Sequence, residues 1–367
     1  MRFPLFPLML LAATVLPGPA AAGPAVVGLY ARALPDAQDR AAQWDRCEET
    51  GVTDLFVQTF HGGMTIYPSN AERTFPQRPD LAGTDLLQTY IDEGHARGIR
   101  IHAWVDLLLW GPDRATLEPG APLPLALNHP EWQVADASGA TTGPLFVTPA
   151  HPDVTNRATL VCLEIAHSHR EIDGIHLDYL RYPGGGDFTY DAAALRTFQG
   201  QGHPDPRHNR SPETAQAWRA HCESRLRDLG NQIGLIIDGL FEDDILVTVA
   251  VQARPADDDL TYQSWPSWLA DGHIDAAVAQ CFSADLDAIH EEAAAAIADA
   301  AETPCWIALA CQPRSGRPMP HDQIAALAGL NPAGVVLFSD AWLAPDGEVR
   351  QSIRTVLRSS EGSPEGS

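Results

Sequence analysis

The strongest constraint on the fold is an alternation of apolar, β-branched runs with helical patterns. Eight runs are typical of strands: 25–31, 53–60, 99–106, 172–178, 245–251, 274–282, 306–311 and 335–340. They are continuously apolar rather than strictly alternating, which indicates strands covered on both faces, as in a parallel sheet. Helical periodicity is found between them at 36–49, 84–97, 156–170, 212–240, 283–300 and 320–330, with a short helix at 265–270.

Eight strand–helix units predict an α/β fold, a single (β/α)8 barrel of the TIM-barrel type over residues 23–358. A doubly wound sheet is the rival fold, but no G-x-G-x-x-G motif follows the first strand. Long insertions follow the third and fourth predicted strands, at 107–152 and 179–211. Barrel enzymes build their active sites on loops at this end of the strands. The tail 359–367 is rich in Ser, Gly and Glu, and we expect it to be disordered.

The N-terminus has the features of a secretory signal peptide. Arg2 precedes an apolar stretch at 8–16 that is too short to span a bilayer, and Ala20-Ala21-Ala22 is a small-residue cleavage pattern. We therefore predict a signal peptide over residues 1–22, cleavage near Ala22–Gly23, and a periplasmic or secreted protein. No later run is long and apolar enough to predict a membrane span.

The charge balance and the cysteine content bear on which ligands the protein can bind and on whether it contains disulfides. The chain has 24 Lys and Arg against 48 Asp and Glu, a formal net charge of −24 that disfavours nucleic acid. The six cysteines lack any C-x-x-C spacing and give no zinc framework. We expect neither a metal nor a cofactor. An even number of cysteines in an exported protein permits disulfides in several pairings, and buried free thiols are the alternative.

Polar side chains collect at the predicted carboxyl ends of the strands, where a packed barrel interior would not place them. A period of two puts His102, Trp104 and Asp106 on one face of the third strand, and His176 and Asp178 on one face of the fourth. Further candidates for substrate binding at strand ends and in loops are Gln58, Tyr67, Tyr179, Arg181, Tyr182, Gln252, Trp265, Gln280 and Asp340. Aromatic faces beside carboxylates, amides and Arg suit an oligo- or polysaccharide.

Residues 172–183, IDGIHLDYLRYP, resemble the DGIhlDdyrYP motif of the bacterial glycosyl-hydrolase-like family ten, which are TIM-barrel glycosidases. Segments at 57–58, 67–69, 98–104, 129–132, 262–269 and 334–339 agree with the family in the same order. The resemblance implies a barrel that cleaves glycosidic bonds, with Asp178 central and a bacterial cell-wall glycan as the substrate class. Two positions depart from the expected pattern. Asp106 stands where the family often has Asn, and Gln252 stands where amylase-type barrels have Glu.

Glycoside hydrolysis uses two carboxyl groups, one ionised and one protonated. We predict Asp178 as nucleophile or charge stabiliser. Asp106 is the first choice for the acid, because its strand neighbours that of Asp178 and Trp104 could raise its pKa by desolvation. Asp340, Asp187 and Asp257 are the other candidates. A carboxyl separation of about 5–5.5 Å would indicate retention of configuration, and about 6.5–9.5 Å inversion.

Several roles stay open on the sequence alone. His102 and His176 either position substrate or Asp178, or are satisfied interior groups. Arg181 pairs either with Asp178 or with an anionic sugar substituent. The missing strand-five Glu favours an alternative function, a non-catalytic glycan-binding barrel. Oligomeric state, the sugar and its linkage are left open.

Overall fold

The computed structural model describes residues 26–70, 73–117, 124–241, 245–253, 260–312, 317–343 and 347–359. The predicted signal peptide lies outside these residues, as does the predicted tail apart from Ser359. Among the described helices, none combines the length and apolar character that a membrane span requires.

Eight parallel strands form a closed barrel, which confirms the predicted fold. With one short additional strand, β3, the described sheet has nine strands: β1 (Val26–Ala31), β2 (Asp54–His61), β3 (Met64–Thr65), β4 (Arg100–Asp106), β5 (Gly174–Asp178), β6 (Leu246–Gln252), β7 (Ala276–Cys281), β8 (Cys305–Ala310) and β9 (Gly334–Phe338). The sheet runs in the order β1-β9-β8-β7-β6-β5-β4-β2-β3, and the pairing of β1 with β2 closes it. The two-residue strand β3 is antiparallel to β2 and lies outside the barrel wall.

Helices connect the strands in the manner of a (β/α)8 fold. They are α1 (Ala37–Thr50), α2 (Leu86–His95), α3 (Pro152–Ser168), α4 (Ala192–Gly200), α5 (Pro212–Phe241), α6 (Trp265–Leu269), α7 (Leu286–Asp299), α8 (Pro320–Ala325), α9 (Asp340–Leu343) and α10 (Gly347–Ser359). Asp36, Asp85, Asp191 and Asp285 cap four of them, each accepting backbone N–H groups of the first turn. A carboxylate at this position satisfies N–H groups that have no partner in the helix and complements the helix dipole.

The barrel has two apolar layers. The larger layer lies between strands and helices, while a second cluster, which includes Tyr30, Phe56, Trp104 and Trp306, fills the barrel interior. At the amino end of the barrel, Asp54 accepts hydrogen bonds from His102 and Arg100 at 2.8 and 2.9 Å, while Nδ1 of His102 is buried without a partner among the described residues. Two further buried acids, Asp106 and Asp178, lie at the opposite, carboxyl end of the barrel.

All six cysteines are buried and free, so of the alternatives left by the sequence the structure contains thiols rather than disulfides. Burial raises the pKa of Cys162, Cys305 and Cys311 to about 12, which keeps these thiols protonated and unreactive near neutral pH.

Candidate active site

Two carboxyl groups meet at the carboxyl end of the barrel. Asp106 ends β4 and Asp178 ends β5, and the two residues are register partners in this parallel pair. Both side chains are buried, with exposed fractions of 0% and 9%. Neighbouring strands lie about 4.8 Å apart, so the pairing brings two acids together in a dry environment.

Asp178 is held by two N–H donors. The indole Nε1 of Trp104 donates to Oδ2 at 3.1 Å, and the backbone N–H of Tyr179 donates to Oδ1 at 2.7 Å. Burial and the negative charge of Asp106 nevertheless raise the pKa of Asp178 to about 7. Removing charge from either acid thus favours ionisation of the other.

Asp106 contacts His61 through one of its carboxylate oxygens. The Nδ1 atom of His61 lies 2.5 Å from Oδ2 of Asp106, whereas Oδ1 has no partner within the described residues. Burial raises the pKa of Asp106, and the contact with His61 opposes that rise. The His61 side chain is 61% exposed, so it connects a fully buried carboxyl group to solvent.

His61 is the functional residue that sequence reasoning missed. Strand β2 has a bulge at Thr59, where Gln58 pairs with Trp104 and Phe60 with the next residue, Val105. A bulge adds one residue and reverses the faces of those that follow it. Phe60 therefore packs in the outer layer, and His61 reaches Asp106. A strict period of two from Gln58 would have turned His61 away from the interior.

Trp104 has a hydrogen-bonding role that the prediction did not include. Its indole N–H donates to Asp178, and its hydrogen bonding lowers the pKa of Asp106. The pKa of Asp106 is nevertheless raised, as expected, and the largest cause is desolvation of the buried carboxyl group.

The interior histidines are paired groups below the acids. His176 lies between the Tyr30 hydroxyl at 2.7 Å and the Thr248 hydroxyl at 2.8 Å, and burial lowers its pKa to about 3. It is therefore neutral, and both ring nitrogens are satisfied. His102 bonds Asp54 at the opposite end of the barrel.

Two cavities include neighbours of the acid pair in their walls, although neither Asp106 nor Asp178 lines them. One, of about 680 Å³, includes Gln58 and His61 in its wall. The other, of about 530 Å³, includes Tyr179, Arg181 and Phe146. The Arg181 guanidinium lies over both aromatic rings, 5.0 Å from the centre of Tyr179 and 5.5 Å from that of Phe146. Both volumes are within the range of small-molecule sites, roughly 300–1,000 Å³.

Of the predicted substrate-binding residues, only Gln58, Tyr179 and Arg181 line these two cavities, and four of the others are engaged elsewhere in the fold. Tyr67 is buried and donates its hydroxyl hydrogen bond to Glu164. Tyr182 is buried in the core against Tyr262, so its ring offers no face to a sugar. Trp265 is also buried, and its indole N–H donates to the backbone carbonyl of Gln252.

Asp340, the fourth, begins α9 and forms an ion pair with Arg46 at 2.7 Å. Gln43 also donates a hydrogen bond to it, so both partners of this carboxylate come from α1. Of the other acid candidates, Asp187 accepts the Tyr262 hydroxyl in a separate cavity. Asp257 lies outside the described residues.

Gln252 and Gln280 are register partners at the carboxyl ends of β6 and β7, and both are half-buried. The Gln252 side chain accepts a hydrogen bond from Thr261. No three metal-ligating side chains converge within the described residues.

Sequence comparison relates the chain to a known family. The sequence profile of the family described as glycosyl hydrolase-like 10 matches residues 28–306. The chain belongs to this family. The protein named Glycosyl hydrolase DigH of Escherichia coli (strain K12) is 26% identical over 161 residues, which cover 38% of this chain and 34% of that protein.

Glycosyl hydrolase YngK of Bacillus subtilis (strain 168) is 25% identical over 154 residues, covering 42% of this chain and 28% of that protein. The glycosyl hydrolase-like 10 chain thus spans about a third of the length of these curated relatives.

Solved structures share the fold. The catalytic domain of β-amylase from Paenibacillus polymyxa superposes with a TM-score of 0.62 at 14% identity, covering 94% of this chain and 100% of that one. Endo-1,4-β-mannanase from Rhizomucor miehei gives a TM-score of 0.58 at 11% identity, covering 91% and 94%. At these identities the likeness concerns the TIM-barrel fold.

Proposed function

We propose that this protein is an exported glycoside hydrolase that cleaves glycosidic bonds in a bacterial glycan, with peptidoglycan glycan strands as the first substrate class to test. One observation carries the proposal: Asp106 and Asp178 are buried register partners at the mouth of a barrel in a glycosyl hydrolase-like family. The signal-peptide pattern at residues 1–22 supports export.

The hydrogen bonds favour Asp178 as nucleophile or charge stabiliser. Two N–H groups donate to its carboxylate, and such bonds stabilise the ionised form. Its pKa is raised partly by the charge on Asp106, and this repulsion disappears when Asp106 carries the proton. The proposed reactive form is the singly protonated pair in which the one proton has moved from Asp178 to Asp106.

Asp106 then acts as the general acid. It protonates the glycosidic oxygen as the bond to the anomeric carbon breaks, while Asp178 stabilises or bonds to that carbon. In the second half of a retaining reaction, water gives a proton to the Asp106 carboxylate as its oxygen attacks the anomeric carbon, and the bond from that carbon to Asp178 breaks. The Asp106 Oδ1 atom is buried and has no partner within the described residues, and we propose that the leaving oxygen becomes its partner when substrate binds.

One assay distinguishes the glycoside hydrolase from the alternative function, a non-catalytic glycan-binding barrel. Purified glycan strands freed of peptides are incubated with the protein, and new reducing ends are counted. We expect release of reducing ends, and the anomer of the first product, read by NMR, reports stereochemistry. Adjacent strand positions about 4.8 Å apart favour the shorter carboxyl separation and therefore retention. Glycan retardation in affinity electrophoresis without any new reducing ends would instead establish the binding barrel.

His61 is proposed to position Asp106 and to exchange its proton with solvent. His61→Ala is expected to lower kcat roughly 10- to 100-fold, less than the roughly 10²- to 10⁴-fold of a general acid or base, because His61 acts through Asp106. Because the His61 contact lowers the pKa of Asp106, its loss should move the alkaline limb of the pH–rate profile to higher pH. Steady-state kinetics across pH measure both effects.

A matched control is His95→Ala. His95 forms a His–Asp pair with Asp173 at 2.8 Å, but at the amino end of the barrel. We expect this variant to keep the wild-type pH profile. In an Asp106→Asn background, His61→Ala should have no further effect. An additional loss of similar size there would show that His61 acts independently of Asp106.

A further inference from the structure

The loop after β5 separates two cavities. It contributes Phe188 to the cavity that contains Arg181, and Asp187 and Tyr190 to a separate cavity of about 310 Å³, the Asp187 cavity. The segment before α5, α5 itself and the loop after β6 complete the wall of the Asp187 cavity. Its volume is that of a small-molecule site, and the proposed reaction makes no use of it.

The polar groups of the Asp187 cavity include both hydrogen-bond donors and acceptors. Asp187 is half-buried, and its Oδ1 atom accepts the Thr189 and Tyr262 hydroxyls at 2.7 and 3.1 Å. A carboxylate has about four acceptor positions, so two hydroxyls leave capacity for a ligand. The Asn209 side chain accepts the backbone N–H of Ser211 at 3.1 Å, which leaves its amide N–H groups to donate.

The charges in this wall balance. Arg219 is paired with Glu223 at 2.8 Å, whereas Arg210 is exposed and forms no ion pair within the described residues. The wall therefore presents one carboxylate, that of Asp187, and one guanidinium that it does not neutralise. An anionic ligand meets the first and a cationic ligand the second, so the wall favours a ligand without net charge that both donates and accepts hydrogen bonds.

Aromatic rings lie beside these polar groups. Tyr190 is half-buried and stacks on Trp218, with ring centres 5.5 Å apart and an interplanar angle of 17°. Burial and the neighbouring Asp187 charge raise the pKa of Tyr190 to about 12, so its hydroxyl stays protonated near neutral pH. A pyranose ring has apolar C–H faces and hydroxyls that donate and accept, which matches an aromatic surface edged with such groups.

We propose that the Asp187 cavity is a second glycan-binding site, which holds a neutral sugar unit without cleaving it. Asp187 and Asn209 bind its hydroxyls, and Tyr190 packs against its C–H face. Asp187 is the one carboxyl group in the described part of the wall, so this site lacks the pair that hydrolysis uses. A strand held here has a higher effective concentration at the acid pair. The inference goes beyond the proposed function, because binding at this site needs neither acid of the pair.

Calorimetry with matched tetrasaccharides tests the ligand class, in an Asp178→Asn background that prevents hydrolysis. A tetramer of N-acetylglucosamine is neutral, its deacetylated form is cationic below neutral pH, and a tetramer of galacturonic acid is anionic. The binding that belongs to the Asp187 cavity is the part that Tyr190→Ala removes. We expect this part with the neutral tetramer, and roughly tenfold weaker or more with the charged ones. Tighter binding there of either charged tetramer, or of the zwitterionic dipeptide Ala-Ala, would overturn the proposal.

Asn209→Ala is the second variant, because this exposed residue tolerates the change even if Tyr190→Ala unfolds the protein. It should weaken binding of the neutral tetramer about tenfold. Asn156→Ala, the same change at an exposed position of α3, should bind like the parent protein. If Asn209→Ala and a folded Tyr190→Ala protein both bind the neutral tetramer as tightly as the parent, the cavity is not a glycan site.

Kinetics on long peptide-free strands separate this inference from the proposed function. Asn209→Ala should raise KM about tenfold while kcat stays at the wild-type value, because the acid pair is unchanged. A fall in kcat with KM unchanged would contradict a binding role. If the wild-type protein cleaves no glycan, the proposed function fails, and the calorimetry alone supports or overturns the second site.

Discussion

Asp178→Asn is expected to abolish hydrolysis while the protein stays folded and keeps its affinity for glycan. Asn preserves the shape of the side chain, and its single carbonyl oxygen can still accept one of the two N–H bonds, from Trp104 or from Tyr179. It cannot supply a negative charge to the developing oxocarbenium ion. The loss should raise the barrier by several kcal/mol, which corresponds to a decrease in rate on the order of a thousandfold or more. Reducing-end release and calorimetry on the same preparation measure the two properties.

Asp45→Asn is the matched control, because Asp45 is exposed on α1 and the chemical change is identical. It should hydrolyse at the wild-type rate. Activity of a folded Asp178→Asn protein within tenfold of wild type would remove Asp178 from the mechanism.

The same variant has a second readout that does not depend on activity. The folded protein holds the Asp178 proton up to about pH 7, whereas an unfolded chain releases it near pH 4. Between these values the folded state binds more protons than the unfolded state, so the wild-type free energy of unfolding falls as pH rises.

Asp178→Asn removes this dependence. The variant should match wild type near pH 4 and be more stable above pH 7, by roughly 1–4 kcal/mol. Urea unfolding at several pH values measures the difference. A variant less stable than wild type at pH 8 would contradict a raised pKa for Asp178.

The barrel was predictable because its strands are buried on both faces and therefore apolar along their length. The predicted strand 99–106 agrees within one residue at each end with the observed Arg100–Asp106, and 306–311 agrees equally well with Cys305–Ala310. Helices α4 and α10 were missed. The nine residues Ala192–Gly200 fell inside a segment assigned to a loop, and Gly347–Ser359 is a largely polar surface helix.

The acid pair was also predictable, since both carboxylates end neighbouring strands and alternation sets their face. The partners of Asp340 were not predictable, because Gln43 and Arg46 lie about 300 positions away in sequence. The burial of Tyr182 could not be inferred for a similar reason. Its position after Asp178 suggests the cleft, but only the packing of Tyr262 against it, from a distant loop, turns the ring into the core.

Asp106→Asn should remove the alkaline limb of the pH–rate profile from whatever activity remains. In the wild-type protein this limb reports loss of the last proton from the acid pair. Burial and like-charge repulsion place that loss above the ordinary carboxyl range, at raised pKa values. Asn has no proton to lose. The acidic limb should persist, because it reports protonation of Asp178 beside a neutral partner, which Asn imitates.

Two further measurements distinguish the role of Asp106 from general damage to the site. Substrates whose leaving group departs without a proton, such as activated aryl glycosides, should suffer much less from Asp106→Asn than natural strands do. The pKa of Asp178, followed by carboxyl infrared or ¹³C NMR signals, should fall below its wild-type value of about 7, since the neighbouring charge is gone.

Asp340→Asn is the comparison variant for this experiment, because Arg46 already neutralises that carboxylate outside the two cavities. It should leave both limbs in place. If Asp340→Asn removed the alkaline limb and Asp106→Asn left it intact, the proton donor would be the acid at the start of α9. The register pairing of Asp106 with Asp178 would then serve only to tune the pKa of Asp178.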